Sequence, residues 1–89
     1  MNFNISKAFV KDAAILPPRI KQVLSEVINE IQFANVPEDI KDCARLKGTD
    51  DLYRIRRGVY RITFHCENCV VTLKRILPRG QIYKKHNLY

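Results

Sequence analysis

Eighty-nine residues, 46% of them hydrophobic and 28% charged, suffice for one small globular domain spanning residues 1–89 and leave no room for a second. No apolar run approaches the roughly 20 residues of a membrane span, the N-terminal MNFNISKAF lacks the basic-then-apolar order of a secretory signal, and three cysteines close no disulfide framework. The expectation is a cytoplasmic chain with reduced thiols. The formal net charge of +7 is unevenly spread: residues 1–44 hold five Lys and Arg against six acids, net −1, and residues 45–89 hold eleven against three, net +8. A basic half of that kind suits a polyanion, either a nucleic acid or an acidic protein that masks the patch.

In chain order, Phe3 and Ile5 alternate with Asn2 and Asn4, which predicts a short first strand. Ser6 reads as the N-cap of a helix from Lys7 to about Ile15, with Ala8, Phe9, Ala13 and Ile15 available for a core. Pro17 and Pro18 end it and open a second helix, because proline in a first turn gives up an N–H that would have been unpaired. Ile20, Val23, Leu24, Val27, Ile28 and Ile31 then form a helical stripe, with Glu26 and Glu30 expected toward solvent. Asn35-Val36-Pro37 breaks this helix, and Pro37 to Leu46 is read as one more short helical segment with Ile40, Cys43 and Ala44 inward. Lys47 to Asp50 is a loop.

Strands are expected at about Leu52–Arg56, Val59–Cys66 and Cys69–Ile76, with a last short one around Ile82. Gly58 supplies the first tight turn and Glu67-Asn68 the second. The result is an α+β fold: a strand, two or three helices on one face, then an antiparallel meander of three to four strands. Strand side chains alternate, so Arg54 and Arg56 point one way while Tyr53 and Ile55 point the other. Likewise Tyr60, Ile62 and Phe64 share one face and Arg61, Thr63 and His65 the opposite one. Paired, these strands give an apolar face and a face of guanidinium groups, which suits the holding of phosphate.

The run LKG…LYRIRRGVYRITF…VVTLKRILPRGQIY, preceded by a helix that opens on Pro-Pro, resembles the RelE/ParE superfamily of toxins from type II toxin-antitoxin pairs, the RelE-like branch in particular. Its most specific parts are the hairpin Y-R-I-R-x-G-x-Y-R and the closing R-x-x-x-Y. The resemblance implies a microbial-ribonuclease-like fold whose RelE-type members cut mRNA in the ribosomal A site. There the ribose 2′-hydroxyl attacks the adjacent phosphate without a metal or other cofactor. It implies cationic groups at Arg54 and Arg56, a phosphate-stabilising Arg61, an Arg79 after the fourth strand, and a Tyr83 that packs against the nucleotide. It implies as partners a RelB-like cognate antitoxin, the ribosome and mRNA. Around this set, Arg57, Lys47, Lys74, Arg75, Lys84 and Lys85 are candidate contacts to RNA.

Two departures bear on mechanism. RelE carries lysines where this chain has Arg54 and Arg56, and arginine stays protonated, so neither is an ordinary general base. Pro78 stands where many relatives have histidine, which leaves the acid role to Arg79. Two other functions fit the same residues: a ParE-like inhibitor of DNA gyrase, and a toxin fold without activity that survives as a binding module. His65, Cys66 and Cys69 form H-C-x-x-C, read as the two ends of a hairpin rather than a zinc site because no second ligand pair is spaced for one.

Overall fold

The structure, a computed structural model, describes residues 1–82 and 84. Strand β1 (Asn2–Ile5) leads into helix α1 (Lys7–Ala14), and helix α2 (Pro18–Phe33) follows after the proline pair. A 3-10 turn at Pro37–Asp39 precedes β2 (Cys43–Arg45), and then come β3 (Leu52–Arg57), β4 (Tyr60–Glu67), β5 (Val70–Pro78) and a single helical turn, α3 (Arg79–Ile82). The five strands form one mixed sheet in the order β1-β5-β4-β3-β2. β1 runs parallel to β5 and every other pair is antiparallel.

Local chemistry explains most of these boundaries. Ser6 caps α1, its hydroxyl accepting from the amide of Phe9 at 3.1 Å while donating to the carbonyl of Lys74 at 3.0 Å. The helix is thereby tied to the sheet at its first turn. Along α2, Leu24, Val27 and Ile31 are buried, and Ile20 and Ile28 pack at the margin of the core, as the stripe requires. At the far end of α2 the α-amino group of Met1 donates to the carbonyls of Ile31, Gln32 and Ala34 at 2.7–3.0 Å. In α1, Phe9 is buried but Ile15 is 84% exposed, and Leu16 takes the inward place.

The helices cover one face of the sheet. Phe9, Leu24, Val27 and Ile31 pack there against Ile55, Ile62, Phe64, Val71, Leu73 and Ile76. Tyr53 and Tyr60 lie at the margin of this core, as expected, and the ring of Tyr53 stacks on Phe64 with centroids 5.3 Å apart. A register shift between Thr63 and Phe64 leaves Lys74 as an extra residue in β5. This bulge rephases the strand. Val71 and Leu73 point into the core before it and Ile76 after it, which a strict two-residue alternation would forbid.

Three expectations are corrected. The stretch read as a helical segment from Pro37 to Leu46 is a 3-10 turn followed by edge strand β2: Asp42 takes a left-handed φ of 56°, which ends any helix, and Cys43 then pairs with Ile55. Ile40 is buried as expected, but Ala44 is exposed. The short strand around Ile82 is instead the helical turn α3; its apolar residue is buried as a strand residue would be, so burial was readable and conformation was not. In the second hairpin the two central residues are Asn68 and Cys69, with φ of 53° and 62°, not Glu67 and Asn68. Both must be left-handed in a turn that matches strand twist, a conformation Asn accepts and Cys adopts only under strain.

Candidate active site

The sheet face away from the helices carries two adjoining rows. Register places Arg54 of β3 opposite Thr63 of β4, and Thr63 opposite Arg75 of β5. The next row is Arg56, Arg61 and Leu77. Neighbouring strands lie about 4.8 Å apart and same-face residues along a strand roughly 7 Å apart, so Arg54, Arg56 and Arg61 share one patch little wider than a nucleotide. Arg56 and Arg61 oppose each other directly, an arrangement of like charges that costs stability.

Among the described residues no carboxylate lies within ion-pair distance of Arg54, Arg56, Arg61 or Arg79; the ion pairs present are Arg57 with Glu30, Arg75 with Asp12, and His65 with Asp51. Arg61 is buried at 7% exposure and folds back over the β3–β4 turn, where its Nη1 donates to the carbonyls of Gly58 at 2.8 Å and Tyr60 at 2.9 Å. That turn holds Gly58 at φ 57°, the position where glycine is favoured, and it fixes the height of Arg61 on the face. Among the described residues, three buried polar atoms of this face have no hydrogen-bond partner: Nη1 of Arg54, Nε of Arg61 and Oγ1 of Thr63. Buried polar groups are normally paired, so three together mark a place where the fold tolerates cost. Arg79 opens α3, tied by its amide to the carbonyl of Val59 at 2.7 Å, and its side chain is exposed. The end of β5 is thereby brought back to the turn that carries Arg61.

Other candidate contacts separate. Arg57 lies on the helix side of the sheet, in register with Tyr60, and both carboxylate oxygens of Glu30 accept from its Nη2, at 3.0 and 2.8 Å. Glu30, expected toward solvent, is half-buried by this pair. Arg75 shares the arginine face but is held by buried Asp12, which accepts from its Nε at 2.8 Å and its Nη2 at 3.0 Å, and from the amide of Ile76 at 3.1 Å. The hydrogen bond that Arg75 donates to Asp12 pushes its guanidinium further up in pKa, with burial opposing. Lys47 is exposed in the loop before β3, Lys74 is the bulge residue, and Lys84 is exposed after α3. Tyr83 and Lys85 lie outside the described residues.

The cysteines do not converge. Burial pushes the Cys43 thiol up to about 12, with Glu38 adding to it, and burial likewise raises Cys66, so both stay protonated and unreactive. No cluster of three or more His, Cys, Asp or Glu able to hold a metal ion occurs among the described residues. His65, in line with Thr63 on the arginine face, has its Nε2 2.7 Å from Oδ2 of Asp51. Sequence reasoning missed Asp12, Glu30, Asp51 and Thr63 as partners or neighbours of the site. Helical and strand periodicity show which way a side chain points, but not which element comes to rest against it.

A sheet packed by helices on one face, with Arg54, Arg56 and Arg61 on the other beyond ion-pair reach of any described carboxylate, defines a small α+β protein of the fold that the sequence resemblance implies. Comparison with known proteins narrows this. The chain is 36% identical over 84 residues to Toxin RelE3 of Methanocaldococcus jannaschii, covering 93% of this chain and 96% of the relative. It is similar to toxin of the antitoxin-toxin complex RelB-RelE from Methanococcus jannaschii, with a TM-score of 0.78 and 30% identity over 92% of this chain and 96% of that one. The archaeal RelE-RelB complex of Pyrococcus horikoshii gives a TM-score of 0.74 at 30% identity, over 90% of this chain and 96% of that one. The isolated Escherichia coli RelE toxin, at 16% identity and a TM-score of 0.67 over 92% of this chain and 89% of that one, shares the fold. No protein-family model matches the chain. By its relatives the chain belongs to the RelE toxin family, as its hairpin and closing motifs implied.

Proposed function

We propose that the chain is the toxin of a toxin-antitoxin pair and a ribosome-dependent endoribonuclease that stops translation by cutting mRNA. The observation that carries this reading is the cluster of Arg54, Arg56 and Arg61 on one sheet face with no carboxylate in reach among the described residues, while Arg57 and Arg75 beside them are neutralised. Three neighbouring guanidinium charges without a described counter-charge suit a ligand that brings the negative charge.

In the reaction the ribose 2′-oxygen forms a bond to the adjacent phosphorus and the bond to the 5′-oxygen breaks, leaving a 2′,3′-cyclic phosphate and a 5′-hydroxyl. Arg54, Arg56 and Arg61 balance the extra charge of the pentacoordinate phosphorane, the usual source of rate when donors are pre-aimed at developing charge. Arg79 stands at the leaving oxygen as its proton donor, and Tyr83 packs against the nucleotide. An arginine that already carries its proton cannot accept another, so the proton of the 2′-hydroxyl passes to water or to a group of the ribosome, by a slow or ribosome-assisted route. The basic half of the chain, with Lys47, Lys74 and Lys84, contacts ribosomal RNA, and a RelB-like antitoxin neutralises the toxin, as supported by the RelB-RelE complexes among its structural relatives.

The test is induced expression followed by mapping of transcript 5′ ends. Codon-phased breaks that vanish in Arg61→Ala and Arg79→Ala support this function. Growth arrest with intact transcripts and damaged DNA supports gyrase inhibition instead, and absence of arrest supports an inactive binding module.

A further inference from the structure

We infer that Thr63 is a fourth phosphate ligand of the site beside Arg54, Arg56 and Arg61, its hydroxyl donating to the oxygen that Arg54 also holds. The inference rests on the proposed reading of this face as a phosphate site. Thr63 is fully buried, it stands directly across from Arg54 in the β3–β4 register, and it follows Arg61 by two positions on the same face of β4. Its Oγ1, the Arg54 Nη1 and the Arg61 Nε are the buried side-chain polar atoms of this face without a partner among the described residues, and all three can donate. Two guanidinium nitrogens and a hydroxyl, each with a proton to donate, are the complement of an oxyanion. A hydroxyl with no partner inside a sheet is costly, whereas valine has the same shape without that cost. Threonine here is accounted for if the hydroxyl finds its partner on the ligand.

Arg54 is half-buried, so the ligand must turn its guanidinium outward to reach the hydroxyl beneath, which the torsions of a long side chain allow. The neutral donor then adds what the arginines lack, a short fixed arm. Arginines select charge; the hydroxyl, rooted in a central strand, selects the position of one oxygen along that strand.

Thr63→Val and Thr63→Ser separate this role from a structural one. The probe is inorganic phosphate titrated into the full chain and followed by amide NMR shifts on β3 and β4, with cleavage on programmed ribosomes as a second readout. Thr63→Val should bind phosphate about tenfold more weakly and lose cleavage by a similar factor, while Thr63→Ser stays near wild type. The free Thr63→Val protein should be at least as heat-stable as wild type, since it loses an unpaired buried hydroxyl. Unchanged phosphate binding in Thr63→Val, with binding still lost in Arg54→Ala, overturns the role of Thr63 and leaves the phosphate site standing. A lowered melting temperature with unchanged binding assigns the hydroxyl a structural role and also overturns it. No phosphate binding by wild type removes the site reading and this inference together.

Discussion

Arg57 and Glu30 are joined by two hydrogen bonds across the packed side of the sheet, while Arg56, one residue earlier, projects from the opposite side with no acidic partner among the described residues. Adjacent arginines on one strand thus have different work. Arg57 fastens β3 to α2, and it also donates to the carbonyl of Lys41 at 2.6 Å, holding the chain that leads into β2. Arg57→Ala and Glu30→Ala should each lower stability by about 1 kcal/mol, the pair being charge-assisted through the one nitrogen Nη2 and partly exposed. Thermal melting checks the size, and RNA cleavage at a temperature where both variants are folded should stay close to wild type.

Removing the charge of Arg56 should do the reverse. Arg56 faces Arg61 directly across two strands, so Arg56→Gln relieves a like-charge contact and should raise stability by about 0.5 kcal/mol. Cleavage should fall at least tenfold, the loss of a charge-assisted contact to phosphate. Gain of stability with loss of activity is expected where a fold keeps a strained cluster for its function. Denaturant titration and a cleavage assay on the same preparation test both halves.

Asp12 is the most consequential single carboxylate. It is 8% exposed, and it satisfies two donors of Arg75 and the amide of Ile76 just past the bulge, where β5 has left its pairing with β1. Asp12→Ala leaves a half-buried guanidinium and a buried amide without this acceptor and should cost about 3 kcal/mol, enough to unfold a small domain in part at 37 °C. The measurement is chemical denaturation, with hydrogen exchange at Ile76 as the local readout.

Cys43 gives a prediction with pH. Burial raises its thiol from the ordinary value of 9.0 to about 12, so above pH 9 the unfolded chain releases a proton that the folded chain keeps. Folding free energy contributed by this group is fully present below pH 9 and is lost as pH rises toward 12. Cys66, also raised by burial, acts in the same direction. Stability measured from pH 8 to 11 should therefore decline less steeply in Cys43→Ala than in wild type, the difference between the two curves isolating this thiol.

Much of the face was legible in the sequence because strand alternation is rigid. Tyr53, Ile55, Tyr60, Ile62 and Phe64 had to share one side, and Arg54, Arg56 and Arg61 the other, once hairpin pairing was read from Gly58. The stripe on α2 was equally readable, since its spacing admits one helix face. What was not legible depended on contacts between distant elements. Whether Arg57 would be free depended on where α2 lay, and Arg75 on where α1 lay, and neither follows from spacing along one strand. The bulge at Lys74 and the left-handed Asp42 were invisible for a different reason: each is a single residue whose backbone is set by its neighbours in space. The same holds for Thr63, which in sequence is one more β-branched strand residue and gains interest only from the unpaired atoms around it.

If the arginine face supports attack by a ribose 2′-hydroxyl on mRNA, that hydroxyl is indispensable at the cut site. Ribosomes programmed with an mRNA whose mapped cut site carries a single 2′-deoxynucleotide test it most directly, with the all-ribose message as reference. Cutting at that position should disappear while flanking sites remain, and the products of the reference message should end in a 2′,3′-cyclic phosphate. Efficient cutting at the deoxynucleotide would contradict the account.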